Sequence, residues 1–117
     1  MALDRETASL PETNNRCPVE VTLDVIGGKW KPVILHYLID GSTKRFGELK
    51  RLMPGITQRM LTNQLRELER AGIVHRVVYR EVPPRVEYSI TESGKSLGGI
   101  LELMRAWGVA HLKSQNG

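Results

Sequence analysis

Two periods of apolar residues run along this chain, and the change from one to the other falls at Ile73. Ahead of it the spacing is helical. Val19, Leu23 and Ile26 recur at i, i+4 and i+7, which predicts a short helix opening after Cys17-Pro18 and stopped by Gly27-Gly28. A second helix follows Lys29, with Pro32 in its first turn and Trp30, Val33, Ile34, Tyr37 and Leu38 as its apolar side, and Asp40-Gly41 ends it. Thr43 to Phe46 is expected as a short edge strand, and a third helix, about Gly47 to Leu52, buries Leu49, Leu52 and Met53. Met53-Pro54-Gly55-Ile56 then forms a turn, because proline supplies no backbone N–H to a helix and glycine takes up the bend. Thr57 is the N-cap of a fourth helix that runs to Ala71, with Gly72 at C′.

Beyond Ile73 the period is two. Ile73, Val77 and Tyr79 lead to Val82-Pro83-Pro84, and Val86, Tyr88 and Ile90 lead away, the pattern of a hairpin with a proline-stiffened tip. Thr91 caps a last helix, about Glu92 to Lys113. The fold class is therefore mainly α with a small β-hairpin wing (α+β), a winged helix-turn-helix. One domain over residues 16–113 is expected, with a polar, aperiodic arm at 1–15 and a short tail at 114–117.

The fourth helix separates its chemistry by face. At about 100° per residue Leu61, Leu65 and Leu68 fall on one narrow stripe, and Arg59, Thr62, Asn63, Arg66 and Arg70 fall opposite, with Glu67 and Glu69 on the flanks. Guanidinium, amide and hydroxyl groups without a carboxylate suit a DNA major groove, where arginine pairs with guanine and asparagine with adenine. An amphipathic surface helix with solvated charges has the same pattern, so the neighbouring segments decide. The net charge is +4, but residues 44–85 hold ten basic and four acidic side chains while residues 1–43 hold four and six. That concentration of cations on the helix-turn-helix and wing is the footprint of a polyanion site. Gln58, Arg59, Thr62 and Asn63 are the expected base contacts. Arg66, and Arg80 and Arg85 beside the wing tip, are expected on phosphate or in a minor groove, with Lys44, Arg45 and Lys50 as further phosphate candidates.

Several runs also resemble a known family: Cys17-Pro18-Val19, Gly28-Lys29-Trp30, Arg45-Phe46-Gly47-Glu48-Leu49, Ile56-Thr57-Gln58-Arg59-Met60-Leu61-Thr62 and Val82-Pro83-Pro84-Arg85-Val86-Glu87-Tyr88. They look like the HxlR-type regulators, dimeric bacterial winged-helix proteins related to the MarR group. The resemblance spans about residues 16–113. It implies that helix 57–71 is the reading element and that the terminal helices build a homodimer. Val19, Leu23, Leu97, Ile100, Leu101, Met104 and Trp107 are the expected interface, and the stripe widens through Leu103, Ala106 and Ala110 beyond what one small domain covers. Such a dimer predicts an inverted-repeat operator read in successive major grooves, about 34 Å apart.

In some members of that family a cysteine at the N-terminal place senses oxidants or electrophiles, and Cys17 matches it. A thiol at a helix N-terminus beside Arg16 gains thiolate character, which Glu20, one turn on, opposes. The other reading of Cys17 is a half-buried small hydrophobe that packs.

A single cysteine excludes an internal disulfide framework. His36, His75 and His111 have no ligand spacing, so no metal and no cofactor is expected. Gly27-Gly28-Lys29 lacks the first glycine of a phosphate loop and has Trp30 where that loop needs Ser or Thr. No nucleophile with a base, or paired carboxylates, argues for an enzyme. Residues 1–16 lack a signal peptide's apolar core and no run approaches a membrane span, so the cytoplasm is the expected compartment. The expected function is sequence-specific binding of double-stranded DNA for transcriptional control. The rivals are a winged-helix protein-interaction module and a regulator answering a small-molecule ligand.

Overall fold

The computed structural model describes residues 15–116, so the expected arm at 1–15 lies, but for Asn15, outside the described residues. Among the described residues, five helices of more than one turn, one single-turn helix and three strands follow in the order α1 (Pro18–Ile26), α2 (Lys31–Leu38), β1 (Lys44–Arg45), α3 (Phe46–Leu52), α4 (Gln58–Arg70), β2 (Val74–Tyr79), β3 (Arg85–Ile90), α5 (Glu92–Lys95) and α6 (Gly98–Asn116). The strands form one antiparallel sheet in the order β1-β3-β2. Lys44 pairs with Tyr88, and the hairpin register runs from Val74 opposite Ile90 to Tyr79 opposite Arg85.

The core is built where the helical stripes converge. Ile34, Leu35 and Leu38 of α2, Leu49 of α3 and Leu61, Leu65 and Leu68 of α4 are almost wholly removed from solvent, with Ile26, Met53, Ile56, Ile73, Val74, Tyr88, Ile90 and Leu101 completing the cluster. The turn between α3 and α4 closes with a hydrogen bond from Ile56 N–H to the Met53 carbonyl at 3.2 Å. Gly55 takes a φ of +93° there, a conformation that costs glycine nothing.

Two corrections concern the last helix. It is not continuous: Glu92–Lys95 makes one turn, the chain bends through Ser96 and Leu97, and α6 restarts at Gly98 and continues to Asn116, past the expected end at Lys113. Gly94 sits so tightly that a Cβ would come within 2.5 Å of the Ile73 carbonyl oxygen and 2.6 Å of Ile90 Cγ1, which pins α5 to the end of the sheet. Thr91 fastens the same corner, its hydroxyl accepting from Gly94 N–H at 2.9 Å and donating to the Gly72 carbonyl at 2.7 Å. The second correction follows from the bend. Leu101 is buried in this chain's own core and Leu97 packs against that core, so these two of the seven expected interface residues serve the protomer itself. Val19, Leu23, Ile100, Met104 and Trp107 are exposed, Val19 at 65% and Trp107 at 68%.

Candidate nucleic-acid interface

The α4 helix is held at both ends and along its back. Thr57 Oγ1 accepts from Met60 N–H at 3.0 Å, satisfying one of the donors a helix start leaves open. At the other end Ile73 N–H reaches the Leu68 carbonyl and Gly72 N–H the Glu69 carbonyl, each at 3.0 Å, with Gly72 at φ +75°. This paired closure is a Schellman motif, and it turns the chain directly into β2. Along the back the leucine stripe is sealed, and Lys31 Nζ of α2 donates to Glu67 Oε1 at 2.5 Å. That contact and the ammonium charge hold the Glu67 carboxyl below its ordinary range. The angular setting of α4 is thus fixed by apolar burial and by an ion pair to a separate helix.

With its back fixed, α4 turns the expected reading face outward. Gln58, Arg59, Thr62, Asn63 and Arg66 together line one open depression. Arg59, Asn63, Arg66 and Arg70 are exposed, and none of the three arginines makes an ion pair among the described residues. Unpaired guanidinium groups keep all their donors for a ligand. Thr62 differs, because its hydroxyl donates to the Gln58 carbonyl at 2.8 Å. Toward a base it therefore offers an acceptor and a methyl group.

The flanking cations divide into two kinds. Arg80 is exposed and unpaired, as are Arg45 and Lys50, while Lys44 is half-buried with its Nζ on Ser42 Oγ at 2.9 Å. Glu48 accepts from Arg45 N–H at 2.8 Å and caps α3 in the manner of a capping box. Arg85 is otherwise engaged than expected. Its guanidinium lies 4.0 Å over the Tyr79 ring and pairs with Glu81 at 2.9 Å and Glu87 at 3.1 Å. Two carboxylates inside the wing neutralise it, so it braces the hairpin and, of the two arginines beside the tip, Arg80 is the one available. Arg76, which the face arithmetic of the fourth helix does not reach, lies with Arg66 in a cleft between α4 and the sheet. Only the strand register reveals it.

Cys17 is exposed at the N-cap of α1 in the single chain, not packed within the protomer. Arg16 beside it directs its guanidinium to Asp24 and, at 3.8 Å, to Glu20. Among the described residues no group of three or more His, Cys, Asp or Glu is placed to hold a metal ion, and no helix is long and apolar enough to cross a membrane.

Comparison with known proteins matches residues 25–116 to the family model described as HxlR-like helix-turn-helix. The chain is 62% identical over 92 residues to the HTH-type transcriptional regulator YdeP of Bacillus subtilis (strain 168), covering 79% of this chain and 71% of that protein. Among solved structures it is similar to the redox regulator HypR in its oxidized form, at 61% identity and a TM-score of 0.77, covering 80% of this chain and 96% of that one. The reduced form of HypR matches at 56% identity and a TM-score of 0.80, covering 86% and 98%.

Proposed function

This chain belongs to the HxlR-like helix-turn-helix family, and from that premise we propose that it is a transcriptional regulator that reads duplex DNA with α4. The observation that carries the reading is the outward face of that helix: Gln58, Arg59, Asn63 and Arg66 gathered in one depression with no carboxylate among them. Arg59 and Asn63 supply the paired hydrogen bonds that distinguish guanine and adenine, and Gln58 and the Thr62 methyl and oxygen add further edge contacts. Arg66, Arg80, Arg45, Lys50 and Lys44 hold backbone phosphate. Arg85 acts through the wing it braces. The relatives are named as regulators, and no residue here is assigned a catalytic role.

We read the working unit as a homodimer over residues 16–113. The exposed apolar faces of α1 and α6 support this, since Val19, Leu23, Ile100, Met104 and Trp107 gain nothing while they face water. A twofold pair implies an inverted-repeat operator with half-sites about 34 Å apart. Sensing through Cys17 belongs to the same proposal, supported by its exposure and by the likeness to a redox regulator in two oxidation states.

Selection of bound fragments from random duplex DNA, with and without oxidant, tests the whole reading. A palindromic consensus is expected. Arg59→Ala is then expected to lose about 1–3 kcal/mol on that consensus and to relax its preference at one base pair. Equal loss on consensus and scrambled duplexes counts against base reading. Cys17→Ser is expected to abolish the oxidant response of operator binding, and a response unchanged in that variant removes Cys17 from the mechanism.

A further inference from the structure

The sheet brings together two side chains on different strands, Arg76 and Tyr88, directly opposite one another in the β2–β3 register. Opposed residues in an antiparallel pair project from the same face. Here that face meets α4, where Thr62, Leu65, Arg66 and Glu69 close a cleft of about 290 Å³ against Arg76 and Tyr88. Thr62 and Arg66 line both this cleft and the depression on the reading face, so helix and wing share one continuous surface.

Several polar groups of the cleft have no partner within the protein. Tyr88 is only 8% exposed and belongs to the core. Its hydroxyl nevertheless has no partner among the described residues and is not sealed from solvent. With its ring packed in the core, Tyr88 keeps that O–H for water or a ligand in the cleft. Arg66 and Arg76 are likewise unpaired, and Glu69, which lines the same cleft, lies beyond ion-pair distance of both. Thr62 has already given its proton to the Gln58 carbonyl. The donors left are two guanidinium groups and one phenol, against a single carboxylate.

We propose that this cleft is an oxyanion site that takes one phosphodiester of the duplex backbone beside the groove read by α4, held by Arg66, Arg76 and Tyr88 Oη. The proposal rests on the DNA-binding reading above and adds to it the contact that sets the depth and register of α4. Such a contact is independent of sequence, because every nucleotide presents the same phosphate. Charge-assisted bonds from guanidinium to phosphate make it strong.

The test uses the full chain, its selected operator and a scrambled duplex, over a range of salt. Arg76→Ala is expected to weaken both duplexes alike by about tenfold and to reduce the slope of log K against log salt by about one. Tyr88→Phe keeps the ring in the core and removes only the hydroxyl. It is expected to weaken both about threefold with the slope unchanged, since a neutral group releases no counterion. Glu69→Gln, which removes the one opposing charge, is expected to tighten both about twofold. A neutral methylphosphonate placed in turn at each backbone position is expected to find one site where the unaltered chain loses affinity and Arg76→Ala loses nothing further. A flat scan, wild-type affinity and slope in Arg76→Ala, or a loss confined to the operator overturns the site. So does inorganic phosphate that saturates Tyr88 in a chemical-shift titration while the scan stays flat, since the anion is then a free solute. If the unaltered chain binds no duplex, the DNA-binding reading falls and takes the cleft with it. If duplex binding is intact and Arg76→Ala is silent, the cleft alone falls.

Discussion

The α4 and α6 helices are both amphipathic, yet they leave opposite chemistry facing water. The first buries Leu61, Leu65 and Leu68 almost completely and exposes Arg59, Asn63, Arg66 and Arg70. The second buries Leu101 alone and exposes Ile100, Leu103, Met104, Trp107 and Leu112, with Leu103 at 73%. Hydrated guanidinium groups cost the fold nothing, so α4 is complete within one chain and its outer face is free to meet a polyanion. Exposed leucine and tryptophan forgo about 25 cal/mol for each Å² that a partner would cover. That helix has an apolar face left uncovered, and the proposed homodimer covers it with the same stripe of a second copy. Stable on its own and stable only in company are two different states of one kind of element, decided by which face the core takes.

The largest expected effect falls on the buried stripe. Leu65→Ala is expected to lower the unfolding free energy in urea by about 3 kcal/mol, since its site is enclosed and collapses little. A loss under about 1 kcal/mol contradicts the view that this stripe holds α4. On the proposed homodimer, Trp107→Asp is expected to leave helix content intact while raising the dissociation constant about a hundredfold. Sedimentation velocity reads it, and a dimer of unchanged strength moves the interface off α6. Thr57→Ala removes the α4 cap, with about 1 kcal/mol expected in thermal or urea unfolding and no change in association.

The smallest effect concerns the link from α2 to the back of α4. Lys31, by hydrogen bond first and by charge second, lowers Glu67 below the ordinary carboxylate value of 4.5. A carboxyl lowered in the folded state stabilises the fold above that ordinary value and loses the contribution as pH falls through the lowered one. Glu67→Gln is therefore expected to show a shallower fall in urea midpoint on acidification than the unaltered chain. Identical acid profiles would mean that solvent screening cancels the pair, as it does for many half-exposed ones.

Much of the α4 helix was readable in advance. Thr57 and Gly72 mark its ends, and the leucine and arginine faces follow from the helical period alone, since both kinds of signal are local. Arg85 and Arg80 flank the same tip in sequence, and nothing local tells them apart. What separates them is Tyr79 lying across the hairpin under one guanidinium, with Glu81 and Glu87 within reach. The break between α5 and α6 was missed although Gly98-Gly99 follow it directly, while the packing of Gly94 against Ile73 and Ile90 was visible only in the fold.

What this chain's residue order determined by itself is the set of elements, the break between α5 and α6 excepted, and the composition of each face, because capping, helical period and turn chemistry act over a few neighbours. Which faces the core consumes was settled only by assembly. Leu101 went inward while Trp107 stayed out, Arg85 was neutralised while Arg80 was not, and Arg76 met Tyr88 across a register no local pattern specifies. Burial and pairing between distant segments depend on where the whole chain places them, so only the tertiary structure could decide which polar and apolar groups were left for a partner.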